Sequence, residues 1–161
     1  MTSLDFKLAV GEISEAALFL RAEGSPKVGV VGFCMGGALS LAAAQHAPVD
    51  CAAPFYGTPQ AGAATPEGVA AARVPCLLSV GALDANKGFS DPATMRAYAE
   101  KISAAGGAAE FAEYPDCGHG FLNSGDEAAE LRARMGFPTP PEEQQDKAWA
   151  RLFAFFEQHL T

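Results

Sequence analysis

The chain is poor in positive charge, in tryptophan and in long apolar runs, and each shortage narrows what it can do. Its 161 residues carry 11 Lys and Arg against 19 Asp and Glu, a formal charge of −8. Nucleic acids and anionic membranes need a cationic face, so neither is an expected partner. No apolar stretch approaches the ~20 residues of a membrane-spanning helix. The opening MTSLDFKLAVGEISEAALFL lacks a basic start and holds Asp5 and Glu12, which does not read as a secretory signal. The cysteines Cys34, Cys51, Cys76 and Cys117 form no C-x-x-C pair, which argues against a zinc ribbon or a redox dithiol. Two of them sit in apolar runs and read as small core residues. The expected compartment is the reducing cytoplasm. No internal repeat or low-complexity tract is present beyond an alanine bias, as at 61–64 and 69–72.

What remains is a globular composition, 49% apolar and 19% charged, at a length that suits one domain over residues 1–161. The apolar spacing predicts a helix over 5–22, stopped by Gly24 and Pro26. Lys27–Gly32 (KVGVVG) reads as a buried strand and Gly36–His46 as a helix. Asp50–Tyr56 is a weaker strand, demoted by Pro54. Residues 57–73, with several Gly, Pro and Thr, read mostly as loop. Pro75–Gly81 is a second buried strand, and Ser90 or Asp91 before Pro92 starts a helix reaching about Ala105. Ala108–Tyr114 is a fourth strand, and 126–135 reads as helix. Glu142–Leu160 is a long amphipathic helix with Trp149, Leu152, Phe153, Phe156 and Leu160 on one side. Short apolar strands alternating with helices imply parallel β-α-β units, whose ligands sit at the carboxyl ends of the strands.

The residues following the strands carry the chemistry. Gly32-Phe33-Cys34-Met35-Gly36-Gly37 lies between a strand and a helix and matches the G-x-S-x-G nucleophile turn with Cys for Ser. The turn strains its central residue, and side chains two positions away on either side, at Gly32 and Gly36, would collide. A helix N-terminus favours thiolate at Cys34, and the Met35 N–H points to where an oxyanion would form. A glycine-rich turn with a buried cysteine is the plain alternative, and the spacing fits neither G-x-G-x-x-G nor a Walker loop. Asp84 follows the Leu77–Val80 run, and His119 lies in the glycine-flanked loop DCGHGF. The chain order Cys34, Asp84, His119 is that of α/β-hydrolases. In that arrangement His119 would keep Cys34 deprotonated and Asp84 would orient His119. Asp116 is a second candidate for the acid, Asp91 is better read as a helix cap, and His46 and His159 carry no expected role. Cys117 reads as a small residue beside the pocket. Candidate pocket walls are Phe33, Met35, Tyr56, Phe89 and Phe121, all flanking strand ends.

In KVGVVGFCMGG, PFYGTP, PCLLSVGALD, YPDCGHGF and the closing KAWARLFAFFEQHL the sequence resembles the dienelactone hydrolase family along nearly the whole chain. The resemblance implies a parallel-sheet, three-layer α/β-hydrolase-like sandwich. It also implies hydrolysis of a small lactone or carboxylic ester through a Cys34 acyl-enzyme, with Asp84 as acid, His119 as base, and neither metal nor organic cofactor. Family members have several more strands and a helix before the segment at which this chain begins. That part supplies a second oxyanion donor, an acid near the thiol and a cationic substrate contact. Loss of one oxyanion donor costs about 3 kcal/mol, or roughly 10²–10³ in rate. Gly120-Phe121-Leu122-Asn123 also lacks the arginine some members direct at a substrate carboxylate. The expected outcome is an N-terminally truncated hydrolase domain whose Val28–Val31 strand is an exposed apolar edge, covered by a second copy or a complementing chain. The alternative is a catalytically lapsed fragment acting as a binding module. A thioesterase or acyltransferase is less favoured, because nothing resembles a coenzyme A or carrier site.

Overall fold

In the computed structural model, which describes residues 4–60 and 62–161, four short apolar segments pair into one parallel sheet. The first three residues of the opening segment and Ala61 of the 61–64 alanine stretch lie outside the described residues. The strands are β1 (Gly29–Phe33), β2 (Cys51–Phe55), β3 (Cys76–Gly81) and β4 (Ala109–Tyr114), in spatial order β1-β2-β3-β4. The helices are α1 (Phe6–Ala22), α2 (Met35–His46), α3 (Pro66–Ala72), α4 (Pro92–Ala104), α5 (Asp126–Met135) and α6 (Glu142–Leu160).

Two glycines show which helix covers which face of the sheet. A Cβ on Gly32 would meet Gly36 and Ser40 of α2, whereas one on Gly29 would meet Phe156 and Leu160 of α6. Side chains alternate along a strand, so residues 29 and 32 point to opposite faces. Helix α2 therefore covers one face, with α4 against β3 and β4, α3 between these two helices, and α1 stacked outside on α2. Helix α6 lies alone across the other face, against β2 and β3. The result is the three-layer α/β arrangement, and its core runs through Leu41, Phe55, Leu77, Leu78, Val80, Met95, Ile102 and Leu152. At the lower end of the sheet the Arg21 guanidinium reaches the carbonyls of Pro26 and Pro48 and the Asp50 carboxylate, which also accepts from the Val28 N–H.

Two expectations from the sequence need correction, and a third is refined. The 57–73 stretch is mostly loop, as expected, but it also holds α3, because Thr65 caps that helix through its side chain and Pro66 takes the first helical turn, where a missing N–H costs nothing. Strand β2 is not weakened to an edge position, since it lies between β1 and β3 with every residue buried. Pro54 is tolerated there because the donors to β3 are Ala52, to Pro75, and Tyr56, to Ser79; the proline falls between them, where the pairing with β3 lapses. Helix α6 buries only part of the expected stripe: Leu152 is buried, and Phe156 and Leu160 pack against the core. Ala148, Leu152 and Phe155 face the sheet, while Phe153 is 63% exposed. Trp149 stacks on Phe153, and its ring lies 5.9 Å from that of Phe33 in β1, where the sheet ends.

Strand β1 pairs only with β2 among the described residues, so its outer backbone edge is open. Val31 on that strand is 38% exposed, whereas Val28 at its foot is buried. No described helix is long and apolar enough to cross a membrane. The two phenylalanines of α6 should separate in a urea titration. Phe155→Ala, which empties a core site, is expected to cost about 3–5 kcal/mol. Phe153→Ala is expected to change stability by about 0.5 kcal/mol or less, as exposed sites do.

Candidate active site

The turn after β1 is strained in the way a nucleophile turn requires. Cys34 has φ 56° and ψ −116°, a conformation that few L-residues tolerate, and caps the start of α2. Its neighbours make the turn possible by lacking side chains. A Cβ on Gly32 would lie 1.9 Å from the Gly36 carbonyl oxygen, and one on Gly37 would lie 2.5 Å from the Phe55 carbonyl oxygen. The second crowded glycine is thus Gly37 rather than Gly36, which faces open space. The Cys34 N–H donates to the Phe55 carbonyl, fixing the turn to the end of β2.

The three chemistry-bearing residues meet above the carboxyl ends of the strands. His119 Nε2 is 3.1 Å from Cys34 Sγ, and His119 Nδ1 is 2.7 Å from Asp84 Oδ2. The Asp84 carboxylate is fully buried and its other oxygen accepts from the Asn86 N–H. Asp116 is exposed in the turn before Cys117 and does not compete for this position. Asp91 caps α4 by accepting from the Thr94 N–H. His46 is exposed at the C-terminus of α2, and His159 packs against Phe155, both away from the cluster.

The sulfur and the imidazole polarise one another. The hydrogen bond with His119 holds the Cys34 thiol below its ordinary value against the opposing effect of burial, and the Met35 N–H directed at the sulfur adds to the lowering. Burial works against a charge on His119, but the hydrogen bonds to Asp84 and Cys34 overcome it and push the ring up to about 9. The two shifts run toward each other, the thiol down and the ring up, so each partner favours the charged form of the other. The other thiols move the opposite way. Burial raises Cys51 to about 11, Cys76 to about 12 and Cys117 to about 11.

The expected pocket walls divide in two. Phe33 lines a cavity of about 430 Å³ with Leu122, Asn123, Ser124 and Trp149, a lining without charge. Phe89 is half-buried, with its ring 6.4 Å from that of His119. Tyr56 and Phe121 are not walls, being 1% and 0% exposed. They form a floor, with the Tyr56 ring edge-on to His119 at 5.2 Å and to Phe121 at 5.6 Å. The Met35 side chain is exposed at 43%. Sequence reading missed Phe137, whose ring is 6.2 Å from His119, and Ser90 as anything beyond a helix-start residue. It took Trp149 only as part of a helix face. Phe137 follows α5 in a loop with no local signal. Ser90 stands beside the cap residue Asp91, which drew attention to the helix start.

A model of the dienelactone hydrolase family matches residues 6–160. The chain belongs to this family. It is 28% identical to a carboxymethylenebutenolidase of Rhodococcus opacus over 98% of its own length and 60% of that protein. It is 31% identical to Protein usf of Aquifex pyrophilus over 97% of its length and, again, 60% of the relative. A crystal structure from Klebsiella pneumoniae named for dienelactone hydrolase superposes with a TM-score of 0.71 at 24% identity, covering 95% of this chain and 62% of the other. The family chain described here thus spans about three-fifths of the length of these relatives.

Alkylation by iodoacetamide tests the charge pair. The Cys34 rate should show a midpoint below the ~8.5 of an ordinary thiol, and His119→Ala should move it upward. Cys117, buried beside His119 in sequence, should remain unmodified under the same conditions.

Proposed function

We propose that this chain hydrolyses small, uncharged carboxylic esters or lactones through a Cys34 thioester, with His119 as its acid–base partner and Asp84 orienting that ring. The observation that carries this reading is the 3.1 Å approach of His119 Nε2 to the Cys34 sulfur, with Asp84 on the opposite ring nitrogen. Membership of the family and the name of the Rhodococcus relative support the ester or lactone class. The uncharged lining of Phe33, Leu122, Asn123, Ser124 and Trp149 favours a neutral substrate over an anionic one.

In this mechanism the thiolate attacks the acyl carbon and a C–S bond forms. The negative charge moves to the carbonyl oxygen, toward the Met35 N–H. The C–O bond then breaks, and Nε2–H of the imidazolium protonates the departing alkoxide. The neutral ring next takes a proton from water, whose oxygen attacks the thioester. The C–S bond breaks and thiolate returns. Asp84 keeps the Nδ1 proton in place and stabilises the charged ring without itself taking the proton.

The open β1 edge with exposed Val31, Trp149 and Phe153 supports a further reading in which a second copy or a complementing chain supplies a strand there. In gel filtration at micromolar concentration the wild type should elute larger than a monomer, and Val31→Lys should shift it to monomer size. A soluble wild-type monomer would overturn this pairing.

Hydrolysis of p-nitrophenyl acetate should fall at least about 10³-fold in Cys34→Ala, as for loss of a nucleophile, and be retained in Cys117→Ala. Equal, trivial rates in all variants would end the hydrolase reading. Alkyl esters need a protonated leaving group, so their turnover should decline as pH rises through about 9, where the imidazolium is lost.

A further inference from the structure

We infer that Ser90 is a positioning residue for His119, its buried hydroxyl acting as a second partner of Nδ1 that keeps the ring turned with Nε2 toward Cys34. This rests on the reading of Cys34, His119 and Asp84 as the reacting set. Ser90 Oγ lies 3.1 Å from His119 Nδ1, and the residue is 0% exposed. Nδ1 thus faces two oxygens, the Asp84 carboxylate at 2.7 Å and this hydroxyl. A ring flipped by half a turn would present carbon to both. The two acceptors together favour the tautomer that carries its proton on Nδ1 and leaves Nε2 free to exchange a proton with the sulfur.

The backbone that carries the hydroxyl is held at Ser90 and at both its neighbours. The Ser90 N–H donates to the Asn86 carbonyl, and Asn86 itself donates to Asp84, so one turn carries both partners of Nδ1. The preceding carbonyl, that of Phe89, accepts from both the N–H and the hydroxyl of Thr58, at 2.9 and 2.7 Å. Thr58 is 3% exposed and belongs to the loop after β2, which ties the two loops together. The following residue, Asp91, caps α4. A hydroxyl used only for helix capping would point at the α4 backbone. This one instead approaches the imidazole. The titratable groups facing the ring are Asp84 from the loop after β3, Cys34 from the β1–α2 turn and Tyr56 from the end of β2.

The test reads Cys34 alkylation by iodoacetamide against pH, which needs no ester turnover. Ser90→Ala should raise the midpoint by about 0.4 to 1 unit, a roughly 2- to 10-fold loss of thiolate reactivity below it, the worth of one ordinary hydrogen bond. The same change made in Asp84→Ala should have a larger effect, because Ser90 is then the remaining partner of Nδ1. A structural role alone would give the same step in both backgrounds. Thermal melting checks that each variant is folded. If Ser90→Ala does not fold, Thr58→Val, which removes the hydroxyl bond to the Phe89 carbonyl without touching the ring, should shift the midpoint in the same direction. An unchanged midpoint in the folded variant, or equal steps in the two backgrounds, overturns the proposal. Absence of ester hydrolysis by the wild type, with the alkylation shifts intact, overturns the hydrolase reading and leaves the positioning role standing.

Discussion

One contact organises this molecule, the approach of a half-buried imidazole to a thiol on a strained turn. Each partner shifts the other toward its charged form. Burial disfavours both charges, and only their proximity, with a buried carboxylate behind the ring, reverses that. The contact needs three chain segments to arrive together. These are the β1–α2 turn, the loop after β3 and the loop after β4, which come from separate β-α units of a parallel sheet. Parallel pairing sends every strand's carboxyl end to the same side, and the close stacking of Gly81 against the Cys117 carbonyl brings the last two loops together.

The same strand that delivers the sulfur is also the open edge of the sheet. β1 therefore has two demands on it. Its carboxyl end is locked by the Cys34 N–H bond to Phe55 and by glycine packing against α2, while its outer backbone groups find no strand among the described residues. The aromatic run Phe33–Trp149–Phe153 passes from the cavity lined by Phe33 and Trp149 onto α6. The uncharged cavity and the open strand edge are consequently neighbours, joined through Phe33 and Trp149. Whatever covers β1 would also shape the mouth of the cavity.

The fold was largely legible in the chain because its signals are local. Gly-Val-Val-Gly and Cys-Leu-Leu-Ser-Val are short apolar runs that pair as strands, although only the second is buried throughout, and Asp91-Pro92 marks a helix start by capping chemistry. The misreadings share a cause. Pro54 was weighed without its partners, and its fit depends on where β3 lacks a hydrogen bond. Phe153 and Phe155 are indistinguishable by hydrophobicity, and only the position of the sheet edge decides which one is buried. α3 is a single short helix whose alanines carry little amphipathic signal.

The sequence by itself determined the parallel β-α order, the glycine-bounded turn around Cys34 and the chain order of thiol, acid and histidine, because each depends on residues near one another along the chain. Only the tertiary structure decided that Asp84 rather than Asp116 meets His119, that Gly37 and not Gly36 is crowded, and that Tyr56 and Phe121 lie beneath the site. It alone brought Ser90 to the imidazole. Those outcomes depend on which loops pack together across the strand ends, and a distance between segments dozens of residues apart leaves no local mark.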